Sequence, residues 1–310
     1  MLRVLKNLVP ERIRWCARIF LRPETVWPFD SFLVNHRYGF LYCPIQKVAC
    51  TSLKFWLLET VERSCGGLKP GEIHPFMDAH YSLRGAAPGE VARVLGRYHR
   101  LAFVRNPWER VVSAYLDKFV TDAVNWQNRA VIESAYAARG HRVDASETIT
   151  WRSMGQEFEL AVDPSIDYAR GVSFREFVDY LCRTPDAELD VHWRPQYLFF
   201  GGLRFHTVGK MERLSEQLRE FEDTMGIERT RLSHSNQVRR SHGGGGKSLE
   251  DVPSGTLREL DHRPDAGELY TAELAGRIGR RYAEDIRRFG YECPVGEGGT
   301  TVEIVEDVER

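Results

Sequence analysis

No stretch of this sequence stays apolar for the ~20 residues a membrane-spanning helix needs, although 42% of its 310 residues are hydrophobic. The six cysteines, Cys16, Cys43, Cys50, Cys65, Cys182 and Cys293, contain no C-x-x-C pair, so no dithiol or zinc-ribbon motif is present. Neither sign of charge dominates: 43 Lys and Arg stand against 44 Asp and Glu, a net charge of −1. No global field therefore recruits nucleic acid, and any anion site has to be local. No Asn-x-Ser/Thr sequon occurs, and no G-x-x-x-x-G-K-[ST] loop marks an ordinary nucleoside-triphosphate site. Scattered single cysteines are the usage of a reduced protein, which sets the expectation of a cytoplasmic location.

What the sequence does have is an alternation of short apolar runs and helical periods. Tyr38–Cys43 and Leu101–Val104 read as buried strands and Arg204–Val208 as a third. Thr51–Glu62 reads as a helix with Leu53, Trp56, Leu57 and Val61 on one face. A second helix starts at Pro107 and runs to about Phe119, proline suiting a first turn whose N–H groups are unpaired anyway. Further helices are expected at Phe174–Leu181, capped by Ser173, at Glu212–Met225, and as one long element over Glu268–Phe289. Gly66–Pro88 reads as loop, residues 121–172 as helical pieces of an acceptor-binding lid, and Ser233–Ser254 as a mobile loop holding Gly243–Gly246. This order predicts an α/β fold, a phosphate-loop-like parallel sheet flanked by helices, in a single domain with helical insertions. The expected boundaries are a basic amphipathic helical extension over 1–34, the main domain over 35–292 and a flexible acidic tail over 293–310. The extension is expected to pack on the domain, with contact at a membrane surface as the alternative.

Two segments carry the chemistry, and each reads as strand, anion-binding turn, helix. In the first, Lys47-Val48-Ala49-Cys50-Thr51-Ser52, short side chains let backbone N–H groups approach an anion at a helix N-terminus, and Lys47 adds a full charge. In the second, Arg105 follows directly on an apolar strand, at the carboxyl edge where open α/β sheets bind ligands. Ser113 lies two helical turns on. An Arg fork suits bidentate phosphate contact, with a salt bridge to a neighbouring carboxylate as the structural alternative. Arg110 reads as an ion-pair partner. Two separate anion sites suit a nucleotide phosphorylated at two positions.

The segments P-I-Q-K-V-A-C-T-S-L-K and F-V-R-N-P-W-E-R-V-V-S-A-Y-L-D-K-F resemble the phosphate-binding motifs of carbohydrate sulfotransferases of the HNK-1 and chondroitin/dermatan type. His192-Trp193-Arg194-Pro195-Gln196, Phe205 to Glu212 and Tyr282 to Tyr291 resemble that family's H-W-x-P, G-K-x-E and closing Y-x-x-D-x-x-x-F-x-Y segments. The resemblance covers about residues 38 to 291. It implies a sulfotransferase fold, the donor 3′-phosphoadenosine 5′-phosphosulfate (PAPS), and an acceptor hydroxyl on a carbohydrate or glycoconjugate. Carried over by position, Lys47, Val48, Ala49, Cys50, Thr51 and Ser52 hold the 5′-phosphosulfate side, and Arg105 and Ser113 the 3′-phosphate. Position between the two loops points to His80 as the base, with His74 second; Lys47 stabilises the leaving oxygen and no metal is required. His192 reads as structural, packed with Trp193. Two departures stand out. Pro44 lies three residues before Lys47 and not beside it, and Phe199 and Phe200 stand where Golgi members commonly carry cysteine. The second fits a bacterial-type or cytoplasmic member. The alternatives are a kinase on a related sheet, or a non-catalytic glycan-binding protein that kept the fold.

Overall fold

Four consecutive apolar residues can bury both faces only inside a sheet. The computed structural model places Phe40–Cys43 there; it describes residues 27–62, 67–121, 124–125, 127–153, 156–228 and 248–293. Strand β1 (Leu33–Asn35) pairs antiparallel with β2 (Phe40–Cys43). Helix α1 (Cys50–Glu62) follows, then α2 (Ile73–His80) and α3 (Pro88–Arg97). Strand β3 (His99–Val104) runs parallel to β2, with Tyr42 opposite Leu101. Helix α4 (Pro107–Tyr115) passes directly into a π-helical turn, Leu116–Val120. After α5 (Arg129–Ala138), the strands β4 (Glu147–Ser153) and β5 (Gln156–Val162) form a separate antiparallel hairpin. Helix α6 (Phe174–Arg183) precedes β6 (Thr207–Lys210), which adds to β3 in parallel and completes the order β1-β2-β3-β6. Helices α7 (Leu214–Met225), α8 (Ala272–Arg281) and α9 (Ala283–Phe289) close the chain.

The apolar residues divide into two packed groups. One surrounds the sheet, with Phe40, Trp56, Phe103 and Phe221 fully or almost fully buried. The Trp56 indole N–H in that group reaches the Glu222 carboxylate at 2.8 Å. The other gathers α4, α5, α6 and α8 around Tyr115, Phe119, Phe174, Phe177 and Trp193. Strand β3 belongs to the first group and the helix that follows it to the second, so the turn between them sits where the two meet.

Several elements differ from the sequence expectation. Gly66–Pro88 contains a helix: Ile73 and Met77, four apart, bury one face, and Pro75 is tolerated because it falls in the first turn. Residues 121–172 hold α5 and the β4–β5 hairpin in place of helical pieces alone. The third strand begins at Thr207, not Arg204, and brings Gly209 across from Phe103. A Cβ at 209 would meet that ring at 2.3 Å, so glycine permits the close approach. The long helix expected over 268–289 is broken. Tyr270 is extended, and the Thr271 hydroxyl accepts from Leu274 N–H to cap α8 afresh. The helix expected from Pro107 to Phe119 leaves α-geometry at Leu116. The Ser173 cap forms a full capping box with Glu176. Residues 1–26 of the extension expected over 1–34, most of the Ser233–Ser254 loop with Gly243–Gly246, and the tail from 294 lie outside the described residues. Among the described residues no helix is long and apolar enough to cross a membrane.

Candidate functional site

The turn between β2 and α1 bends in a way L-amino acids rarely adopt. Lys47 and Ala49 both lie in the left-handed region, at φ 65° and 49°, each at a cost of about 1–2 kcal/mol. Left-handed residues inside a turn let neighbouring N–H groups converge on an anion, and the N-terminus of the 13-residue α1 follows at once. Val48 between them drives its side chain into the core, which fixes the turn. No glycine is needed because that anchor and α1 hold the strained residues in place.

The second turn is held from behind. The Asn106 carboxamide caps α4 by accepting from Trp108 N–H, and Pro107 occupies the first helical position. The Gln196 side chain brackets Arg105. Its oxygen accepts from Arg105 N–H at 2.9 Å and its amide donates to Arg105 C=O at 2.8 Å. Asp285, fully buried, accepts from the N–H groups of Gln196 and Tyr197, both at 2.8 Å. Burial pushes the Asp285 carboxyl up, and those two N–H donors oppose the shift. Glu212 accepts from Asn106 N–H at 2.8 Å and from the Tyr291 hydroxyl at 3.2 Å. Three of the later segments singled out in the sequence therefore act on the backbone around Arg105.

Arg110 is buried and forms no ion pair among the described residues, contrary to its reading as an ion-pair partner. Its guanidinium donates to the carbonyls of Gln46, Arg194 and Val191 at 2.9, 2.8 and 3.1 Å. It ties the first turn to the segment holding His192 and Trp193.

Both turns open into one cavity of about 780 Å³. Lys47, Ala49, Cys50, Thr51 and Ser52 line it from the first turn, Arg105 and Ser113 from the second. The Arg105 guanidinium reaches across to the Lys47 carbonyl at 3.2 Å. Of the expected histidines, His74 lines the cavity, its Nε2 3.0 Å from the Thr51 hydroxyl. His80 is exposed, outside the cavity lining, with its ring against Phe76 at 4.6 Å. Six helical residues separate the two, a rotation of about 600° that leaves them roughly 120° apart around α2. A histidine at position 80 thus does not share the face that presents His74. Burial pulls the His74 pKa down to about 4, with help from the Lys54 ammonium.

Lys54, Asp78, Asp117 and Lys118 are among the cavity residues that went unassigned in the sequence. Another cavity residue, His192, was read as structural. Lys118 had a signal, since it is the lysine of the S-A-Y-x-x-K-F pattern. Asp117 and Lys118 arrive together because the π turn, closed by Thr121 N–H to Leu116 C=O, presents consecutive residues to the cavity. Each key cation holds a carboxylate: Lys47 with Asp117 at 3.2 Å, Arg105 with Glu109 at 3.6 Å, and Lys54 with Asp78 at 2.8 Å. Burial lowers the Lys47 pKa while Asp117 opposes it. Burial would raise Asp117, but Lys47 and Lys118 keep it below the usual carboxylate range. Gln46 Oε1, also at the cavity, is buried with no hydrogen-bond partner among the described residues.

The model of the sulfotransferase family matches residues 30–292. Carbohydrate sulfotransferase 14 of Mus musculus is 31% identical over 187 residues, 59% of this chain and 43% of the relative. Carbohydrate sulfotransferase 11 of Rattus norvegicus is 28% identical over 194 residues, covering 59% and 49% of the two chains. Carbohydrate sulfotransferase 12 of Mus musculus is 24% identical over 210 residues, covering 61% and 47%. The chain thus spans about half the length of the curated relatives it matches. No solved structure matches it significantly.

Proposed function

The chain belongs to the sulfotransferase family, and from that premise we propose that it moves a sulfuryl group from PAPS to a hydroxyl of a carbohydrate or glycoconjugate. The observation that carries this reading is the single cavity shared by two anion-binding turns, bridged by the Arg105 guanidinium on the Lys47 carbonyl. A donor with phosphates at two separated positions requires such a pair. The residues present fit it. The left-handed turn, the α1 N-terminus, Thr51 and Ser52 suit the 5′ side, Arg105 and Ser113 suit the 3′-phosphate, and the orphaned Gln46 oxygen offers an acceptor. When bound, the donor supplies an activated sulfuryl group.

The chain's own contribution is positioning and charge. Sulfuryl transfer, like phosphoryl transfer, places developing charge on peripheral and leaving oxygens, so preorganised cations lower the barrier more than covalent help would. Lys47 is the cation at the leaving oxygen. In the structure Asp117 occupies it, and a bound phosphosulfate competes with that carboxylate. His74, held neutral, orients the Thr51 hydroxyl of the donor turn. Curated relatives named as carbohydrate sulfotransferases support a sugar acceptor.

The test is calorimetric titration of 3′-phosphoadenosine 5′-phosphate (PAP) into the wild type and Arg105→Ala. Expected is micromolar binding that the variant weakens by about tenfold or more, about 1.4 kcal/mol. Folded wild type that binds no PAP would end this reading.

A further inference from the structure

A hydroxyl acceptor must lose its proton, and two histidines face the cavity that the two turns share. We propose that His192, not a histidine between the two turns, is the general base, with Asp190 as its positioning residue. This rests on the sulfotransferase reading above.

The geometry separates the two rings. Asp190 Oδ1 lies 2.6 Å from His192 Nδ1 and also accepts from the His192 backbone N–H at 2.9 Å. A carboxylate only accepts, so the proton between them sits on Nδ1 and the lone pair is left on Nε2. His74 instead spends its Nε2 on the Thr51 hydroxyl, and among the described residues no carboxylate is bonded to its ring. An imidazole backed by a carboxylate gains stability as it becomes imidazolium, which is what a proton acceptor requires.

The segment carrying His192 is held by backbone hydrogen bonds and core packing. The Asp190 carbonyl accepts from Trp193 and Arg194 N–H at 3.1 and 2.9 Å. Trp193 is buried against Phe119 and Phe177. Arg110 holds Val191 and Arg194 on one side and Gln46 on the other. One guanidinium therefore sets the distance between the base and the donor turn. Charged and titratable groups reach His192 from each side: Asp190 on its own segment, Lys118 from the π turn, Lys47 from the first turn, and His74 from α2. Burial first, and then the two lysines, lower its pKa; Asp190 opposes them. Asp190 itself stays below the usual carboxylate range, because the hydrogen bonds and charge of His192 outweigh its burial.

The step balances as follows. The acceptor oxygen forms a bond to sulfur as its proton passes to His192 Nε2. The bond from sulfur to the bridging phosphate oxygen breaks, and its electron pair stays on the phosphate. The imidazolium, paired with Asp190, then releases the proton to water.

Three measurements test this. The first is the ring nitrogen spectrum of 15N-histidine-labelled wild type with PAP: His192 is expected as the Nδ1–H tautomer, and an Nε2–H tautomer overturns the proposal even if variants fail to fold. The second is His192→Gln, assayed with PAPS and a panel of p-nitrophenyl glycosides. Expected is PAP affinity within threefold of wild type and a kcat lower by about 100-fold or more; activity within fivefold of wild type overturns it. The third is Asp190→Asn, which should lower kcat and move the acid limb of kcat/KM to lower pH. An unmoved limb would reduce Asp190 to a structural role and overturn its part. Wild type that neither binds PAP nor transfers sulfate overturns the enzyme reading and this proposal with it. Wild type that transfers while His192→Gln matches it overturns the base alone.

Discussion

The two anion-binding turns solve one problem in opposite ways. The β2–α1 turn is local: Lys47 and Ala49 hold left-handed backbone, Val48 plugs the core, and both flanking elements belong to the packing group around the sheet. The β3–α4 turn is relaxed, with a proline and an asparagine cap, but the backbone around Arg105 is clamped from segments far along the chain: Gln196, braced by Asp285, holds Arg105, and Glu212 holds Asn106. The first turn stores strain; the second relies on remote side chains. A late motif residue can thus brace an early turn from a distance, which is how fully buried Asp285 acts.

The largest expected break in this comparison is Asp285→Ala. It orphans the Gln196 and Tyr197 N–H groups and frees the Gln196 clamp, so about 4 kcal/mol of stability should vanish from urea melts. Equal loss from a variant confined to the first turn would contradict the asymmetry. Gln196→Ala comes next, at about 2.5 kcal/mol, since it leaves two backbone groups of Arg105 unpaired. It should weaken PAP binding in calorimetry although every cation remains. If affinity holds, the clamp is not what places Arg105.

Acid should loosen the first turn through His74. Its folded pKa, near 4, lies below the ordinary 6.5, so the unfolded chain binds more protons between those values. Its contribution is complete above about pH 6.5 and lost as pH falls towards 4, about 2 kcal/mol in all for a partly exposed ring. Urea midpoints at pH 7.5 and 4.5 should converge in His74→Gln; an unchanged gap assigns the acid sensitivity elsewhere. The smallest effect sharpens the strain argument. Ala49→Gly removes a left-handed Cβ and should stabilise by up to about 1 kcal/mol, read as a rise in Tm. A fall in Tm would mean the turn is not strained at that residue.

The central strands and both turns were legible because continuous apolar runs and strand-to-helix punctuation are local signals. Phe40–Cys43 and Leu101–Val104 carry them plainly. Helix α2 was hidden by Pro75 and its glycine-rich approach, and with it the rotation that separates His74 from His80. Lys54, Asp78 and Asp117 were invisible for a different reason: a charged residue on a helix declares its neighbours only after packing sets which face turns inward. His192 was seen, but only beside Trp193. Its Asp190 partner is two residues away and its cavity is built by segments far along the chain.

The π turn at Leu116–Val120 has a consequence that concerns chain length. A π turn is an α-helix carrying one surplus residue. Deleting one residue there should leave a regular helix in which α4, up to Tyr115, keeps its core contacts. Asp117 and Lys118 would swing off the cavity, and the carboxylate that holds Lys47 would go with them. This segment is therefore one where a single-codon deletion, usually ruinous in a helix, could spare the fold and still dismantle the site.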